Sequence, residues 1–143
     1  MRLGDFFRVG LLAALAFVGL MLIVNSPASA HVAVKDDHLR AVVQELRAEM
    51  KADLNSGQWR AAKRLWDAES HWNPRSGDPD GCFGIPQACP GSKMKSAIRP
   101  HAGARWDSIR DPFVQGAWGT DYVRVRYGTF KKALRFQDEH GWY

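Results

Sequence analysis

The stretch from Asn73 to Gly91 constrains this chain more than any other. It holds four of the chain's seven prolines, Pro74, Pro79, Pro86 and Pro90, interleaved with Gly77, Gly81, Gly84 and Gly91. Proline fixes φ and has no amide donor, so neither a regular helix nor a central strand runs through such a segment. The expectation is a long loop of irregular turns or a short hairpin, with the rest of the domain wrapped around it. Loops of this length in compact domains are pinned or carry function. The only cysteines, Cys82 and Cys89, both fall inside it, seven positions apart. A single pair argues against a structural zinc site and fits one disulfide in an oxidising compartment, with two free buried thiols as the alternative.

The flanks read as helices. Asp36-Asp37 offers an N-cap, and Leu39, Val42, Val43, Leu46, Met50 and Leu54 recur at helical spacing up to Asn55-Ser56-Gly57. Ser56 is the expected cap of a second helix with the stripe Trp59, Ala62, Leu65, Trp66 and Glu69, ending before Pro74 because a residue preceding proline avoids helical geometry. Beyond the loop, Ser92 to Ile109 shows no clear period. Asp111-Pro112 combines a cap with proline at the first helical position, and Phe113, Ala117, Tyr122 and Val125 form the expected stripe up to Gly128. Thr129 caps a last helix through His140, with Gly141 after it. Strand signal is slight and no repeat is present, so the expected fold class is mainly α.

The length of 143 residues bounds the chain to one compact domain plus an N-terminal segment. Arg2 and Arg8 precede the uncharged apolar run Val9 to Val24, and Ala28-Ser29-Ala30 offers a small-residue cleavage site. Residues 1–30 are the expected signal peptide, 31–56 a helical extension and 57–143 the main domain. The apolar run falls short of the ~20 residues that span a bilayer comfortably, and an uncleaved membrane anchor is the alternative. The expected location is secreted or in the cell envelope, with membrane contact only through that segment.

The net charge is +5, and removing Arg2, Arg8 and Asp5 leaves +4. A mildly basic surface suits an extracellular polyanion, although it also serves simple solubility. No Lys/Arg block interleaved with aromatics points to nucleic acid. His31, His38, His71, His101 and His140 are too scattered to indicate a metal site or a nucleophile–histidine pair. No cofactor is expected, and a monomer is the expected state.

Glu69 is the one acid with a chemical argument attached. Leu65 and Trp66 lie a helical turn back, so desolvation disfavours its anion. A helix C-terminus also carries partial negative charge. Both effects raise the pKa, the direction a general acid needs near neutral pH. The alternative is an ordinary solvated glutamate at a frayed helix end.

The text around Glu69 adds to this. Ala68-Glu69-Ser70-His71-Trp72-Asn73-Pro74 is followed by Gly84-Ile85-Pro86-Gln87 and Pro90-Gly91-Ser92-Lys93-Met94. Together these resemble the soluble lytic transglycosylase (SLT) family, which has the lysozyme-like fold. In that family a Glu-Ser pair ends the catalytic helix and a Gly-(Leu/Ile)-(Met/Pro)-Gln segment follows on the neighbouring loop. The variant here is similar to a small secreted branch of actinobacterial and phage-associated proteins, as are Trp118-Gly119, Asp121-Tyr122, Arg126-Tyr127-Gly128 and His140-Gly141-Trp142-Tyr143. The resemblance covers residues 59–143 and leaves 31–56 unaccounted for.

The resemblance implies Glu69 as the catalytic acid and base. It implies Ser70, Gln87 and Tyr122 as substrate-contacting neighbours, with Phe83 as a stacking surface where a tyrosine is common. Cys82 and Cys89 stand where the branch usually has small or aliphatic residues. Trp66, Trp72, Trp106, Trp118 and Trp142 are either core residues or platforms for sugar faces. The implied reaction is cleavage of the bond between N-acetylmuramic acid and N-acetylglucosamine in peptidoglycan glycan strands, leaving a 1,6-anhydro end without metal or cofactor. Two readings compete: a hydrolytic muramidase using Asp78 or Asp80 as second carboxylate, and a non-catalytic wall-binding module.

Overall fold

The computed structural model describes residues 27–99 and 106–143. Most of the expected signal peptide lies outside the described residues. The elements are α1 Pro27–Asp53, α2 Ser56–Ser70, a 3-10 helix Gly91–Ala97, α3 Pro112–Tyr127 and α4 Phe130–His140. Among the described residues no strand forms, and the loop contains only the isolated bridges Gly77–Phe83 and Phe83–Ala88. The fold is mainly α. Among the described residues, no helix is long and apolar enough to cross a membrane.

Several boundaries differ from the sequence reading. Helix α1 starts at Pro27 rather than at Asp36-Asp37, and so runs through the expected cleavage residues Ala28-Ser29-Ala30. Pro27 suits a first helical position, and the alanines that follow are strong helix formers with no breaker among them. The two aspartates serve the helix surface instead: Asp37 pairs with Arg40 at 3.3 Å and Asp36 with Arg75 at 2.7 Å. Asn55, not Ser56, caps α2, its side-chain oxygen accepting from the amides of Gly57 and Gln58 at 3.1 and 3.0 Å. A cap needs extended backbone, which Asn55 has (ψ 159°) while Ser56 is already helical.

Helix α2 stops at Ser70, before the residues adjoining Pro74. His71 and Trp72 both adopt left-handed φ, 52° and 59°. Their amides reach back to the carbonyls of Asp67 (3.0 Å) and Trp66 (3.3 Å), closing the helix end. This reversal folds the Trp72 indole onto α2, where its Nε1 donates to the Lys63 carbonyl at 3.2 Å.

Helix α3 has the expected caps, with Asp111 Oδ1 accepting from the Phe113 amide at 2.7 Å and Gly128 at the end. Its buried face keeps Phe113 of the expected stripe but not Val125. Val125 is 83% exposed, whereas Phe113, Gly116, Gly119 and Val123 are buried. The reason is spacing: the step from Ala117 to Tyr122 is five residues, which rotates away from one face, while the buried set keeps steps of three and four. Helix α4 matches expectation, with Thr129 Oγ1 accepting from the Lys132 amide at 3.2 Å.

Two apolar clusters hold the elements. The larger joins Val42, Val43, Leu46 and Met50 of α1 to Leu65 and Trp66 of α2, Phe113 and Val123 of α3, and Phe130 of α4. Each such large side chain stabilises by roughly 1.5–3 kcal/mol on burial. Trp66 is fully buried and meets Phe130 edge-on at 5.5 Å. Gly119 lets α3 approach this indole: a Cβ there would lie 2.7 Å from Trp66 Cζ2 and 2.9 Å from Pro86 Cβ. The smaller cluster, Phe83, Ala88, Met94 and Val114, packs the loop against α3 and the 3-10 helix.

Candidate functional site

The C-terminal end of α2 brings Glu69 and Ser70 beside the Gly84–Gln87 segment. Ser70 is buried, and its hydroxyl donates to the Ile85 carbonyl at 2.9 Å. The side chain expected to touch substrate is thus occupied in fastening helix to loop. Glu69, next to it, is half-buried. Burial holds its carboxyl above the usual glutamate value. Desolvation is the operative cause, as the sequence reading argued from Leu65 and Trp66.

Main-chain bonds shape the loop. The Ser76 carbonyl accepts from the Gly84 amide at 2.8 Å and from Gln87 Nε2 at 3.2 Å, and the same Nε2 also donates to the Gly84 carbonyl at 2.9 Å. Both side-chain amide hydrogens of Gln87 are therefore spent inside the loop, which leaves Oε1 as its remaining polar side-chain atom. The disulfide Cys82–Cys89 closes the base of the turn, as the spacing suggested. Phe83 is 1% exposed and packs in the smaller cluster, with the Arg110 guanidinium 5.5 Å from its ring centre. Its ring offers no open stacking face, contrary to expectation, because the two bridges on either side turn it inward.

Gln115 of α3 is a key residue that sequence reasoning passed over. It is fully buried, and its amide makes three contacts with the loop and its approach. Its Oε1 accepts from the Ile85 amide at 2.8 Å, and Nε2 donates to the carbonyls of Pro74 and Ile109, both at 2.9 Å. Gly84, at φ +80°, lies so close that an added Cβ would sit 2.7 Å from Gln115 Cδ. A glutamine between apolar residues on a helix was the available signal: such a residue is buried only when its amide is fully partnered.

Tyr143 is the second residue missed. Its hydroxyl accepts from Trp66 Nε1 at 2.9 Å and donates to the Pro86 carbonyl at 3.1 Å, bridging α2 and the loop. The ring is partly exposed while the hydroxyl end is enclosed. Burial raises this phenol well above its ordinary value, and the negative charge of Glu69 adds to the effect. Tyr143 is thus an electrostatic neighbour of Glu69. Tyr122, the tyrosine expected there, is half-buried, stacks on Trp118 at 5.1 Å and meets Tyr143 edge-on at 5.9 Å. Burial again leads the rise in its pKa, followed by Tyr127.

Trp66 and Trp72 are core residues, Trp106 and Trp118 are half-buried, and Trp142 is 53% exposed. Asp78 and Asp80 are exposed at a turn, where Asp78 Oδ1 accepts from the Asp80 amide at 2.9 Å. Among the described residues no three His, Cys, Asp or Glu side chains gather as a metal-holding group. The arrangement thus comprises one half-buried acid, an aromatic wall and a loop fixed by buried bonds. Comparison with protein-family models, curated proteins and solved structures finds no match for the chain.

Proposed function

We propose that the chain is an exported peptidoglycan lytic transglycosylase of lysozyme-like fold, with Glu69 as its single acid and base. The observation that carries this reading is the raised, half-buried carboxyl of Glu69 at the end of α2, beside the braced Gly84–Gln87 loop. A carboxyl whose pKa burial raises is better suited than an ordinary glutamate to protonate a leaving oxygen.

In the proposed reaction Glu69 gives its proton to the glycosidic oxygen as the bond to the anomeric carbon of N-acetylmuramic acid breaks. The substrate's acetamido group supports the developing positive charge. The C6 hydroxyl of the same sugar then attacks the anomeric carbon and returns its proton to Glu69. Protons balance, no water is consumed, and the product ends in a 1,6-anhydro ring. Of the two rival second carboxylates, Asp78 is engaged in its own turn and Asp80 is exposed on that turn, which supports the one-carboxylate scheme over hydrolysis.

Mass spectrometry of fragments released from purified peptidoglycan tests the reading. Anhydro ends are expected from the wild-type chain and no release from Glu69→Gln. Hydrated reducing ends throughout would identify a hydrolase instead, and binding without release a wall-binding module.

A further inference from the structure

A groove of about 460 Å³ runs between α1 and the His71–Arg75 turn, with Leu39 and Val43 among its apolar walls. Its cations are unequal. Arg75 is engaged by Asp36 at 2.7 Å and Arg40 by Asp37 at 3.3 Å. Among the described residues Arg47 has no carboxylate at ion-pair distance. Its guanidinium lies 5.1 Å from the centre of the Trp72 ring. A cation–π contact uses none of the guanidinium's hydrogen-bond donors outright, so N–H groups remain for a ligand.

The platform beneath Arg47 is rigid. Trp72 is 4% exposed, bonds through Nε1 to Lys63 and meets Trp66 edge-on at 5.2 Å. Reaching that position requires two successive non-glycine residues in left-handed backbone, His71 and Trp72, each costing of order 1 kcal/mol. The amides of Gln44 and Asn73 flank the same groove.

We propose that this groove binds an acidic peptide strand, with Arg47 taking one of its carboxylates through the guanidinium fork. A single unpaired fork matches one carboxylate bidentately. The apolar walls suit short aliphatic side chains, and the two amides suit a peptide backbone. A polyphosphate is a poorer match, because two of the three arginines each already have a carboxylate beside them. Naming the strand as the peptide stem of peptidoglycan rests on the function proposed above.

The groove also shares a wall with the candidate site. Arg75 precedes Ser76, whose carbonyl holds Gly84 and Gln87, and Gln115 holds the Pro74 carbonyl. A strand seated in the groove thus lies against the segment that anchors the loop beside Glu69. Helix α1, which supplies Arg47, lies in the part of the chain that the family resemblance leaves unexplained.

Amide-resolved NMR titration of the full chain with the free tetrapeptide L-Ala-γ-D-Glu-L-Lys-D-Ala tests the proposal without relying on cleavage. Saturable shifts at Arg47, Trp72 and Asn73 are expected. Affinity should fall about tenfold in Arg47→Gln and with the doubly amidated peptide, as for one charge-assisted bond. Arg40→Gln, whose cation is already paired, should change it less than about twofold. No shifts at millimolar peptide would overturn the proposal, as would equal affinity for the amidated form, or an Arg40→Gln loss as large as that of Arg47→Gln. Tighter binding of poly(glycerol phosphate) at the same residues would overturn the peptide assignment. Binding in a chain that cleaves nothing would leave the groove standing and remove the proposed activity, and cleavage without binding would do the reverse.

Discussion

The hydroxyl of Ser70 donates to the carbonyl of Ile85 at 2.9 Å, joining the last residue of α2 to the centre of the proline-rich loop. Through this bond the residue beside Glu69 fixes where the loop lies. Ser70→Ala leaves the Ile85 carbonyl without that partner and should cost about 1–2 kcal/mol. The thermal midpoint should fall by roughly 4 °C per kcal/mol, between the values for domains of about 100 and about 150 residues. An unchanged midpoint would remove the brace from the account.

Glu69 carries both an activity and a stability prediction. As a general acid it works protonated, so turnover should fall as pH rises through its raised pKa. Glu69→Gln should abolish that dependence and reduce fragment release by about 10²–10⁴-fold. For folding, a carboxyl whose pKa is raised by burial favours the folded state at low pH and loses that contribution as pH rises through the folded value. The glutamine variant should therefore gain thermal midpoint relative to wild type at pH 8 and not at pH 4. Midpoint curves that stay parallel across this range would contradict the burial argument.

Gln115→Ala should be the most damaging single change outside the apolar core. It strands the Ile85 amide and withdraws donors from two carbonyls, for a cost of about 3 kcal/mol or more. Urea denaturation with an unchanged m-value would read this directly. A loss under 1 kcal/mol would mean that water replaces the amide.

Reducing the Cys82–Cys89 bond should destabilise by about 2.5 kcal/mol, the chain-entropy value for so short a ring. Both cysteines are exposed, so a mild dithiol should reach them. Calorimetry with and without reductant is the measurement, and coincident melting curves would count against the bridge as a stabilising element.

Val125→Lys provides a control for the reading of α3. At 83% exposure it should change stability by no more than about 0.5 kcal/mol. The same substitution at Val123, which is buried, should cost several times that.

These contrasts show where the fold was legible. The caps at Asp111 and Thr129 and the stops at Gly128 and Gly141 are local signals, and each sits where its own side chain or φ preference puts it. The stripe Val42, Val43, Leu46, Met50 is also local, because its period alone selects a face. The stop of α2 before Pro74 was legible, but the left-handed backbone at His71 and Trp72 was not, since it accompanies burial of the Trp72 indole against Trp66 rather than the residues' own preferences. The candidate site was legible only in part. Glu69 announces itself by its apolar neighbours, whereas Gln115 and Tyr143 reach it from 46 and 74 positions away through contacts that only the tertiary fold creates.

The oxygen of Ser76 receives two donors, one from a main-chain amide and one from a side chain across the turn. Because that oxygen belongs to the peptide group, exchanging Ser76 for another residue would leave it in place. Side-chain drift along this segment can accumulate with the trace of the chain preserved, and a conventional alanine scan would register little of the anchorage. Replacing the Gly84 amide by an ester, which deletes the donor to Ser76 and weakens the Phe83 carbonyl that accepts from the Ala88 amide, is the perturbation to which this architecture is exposed.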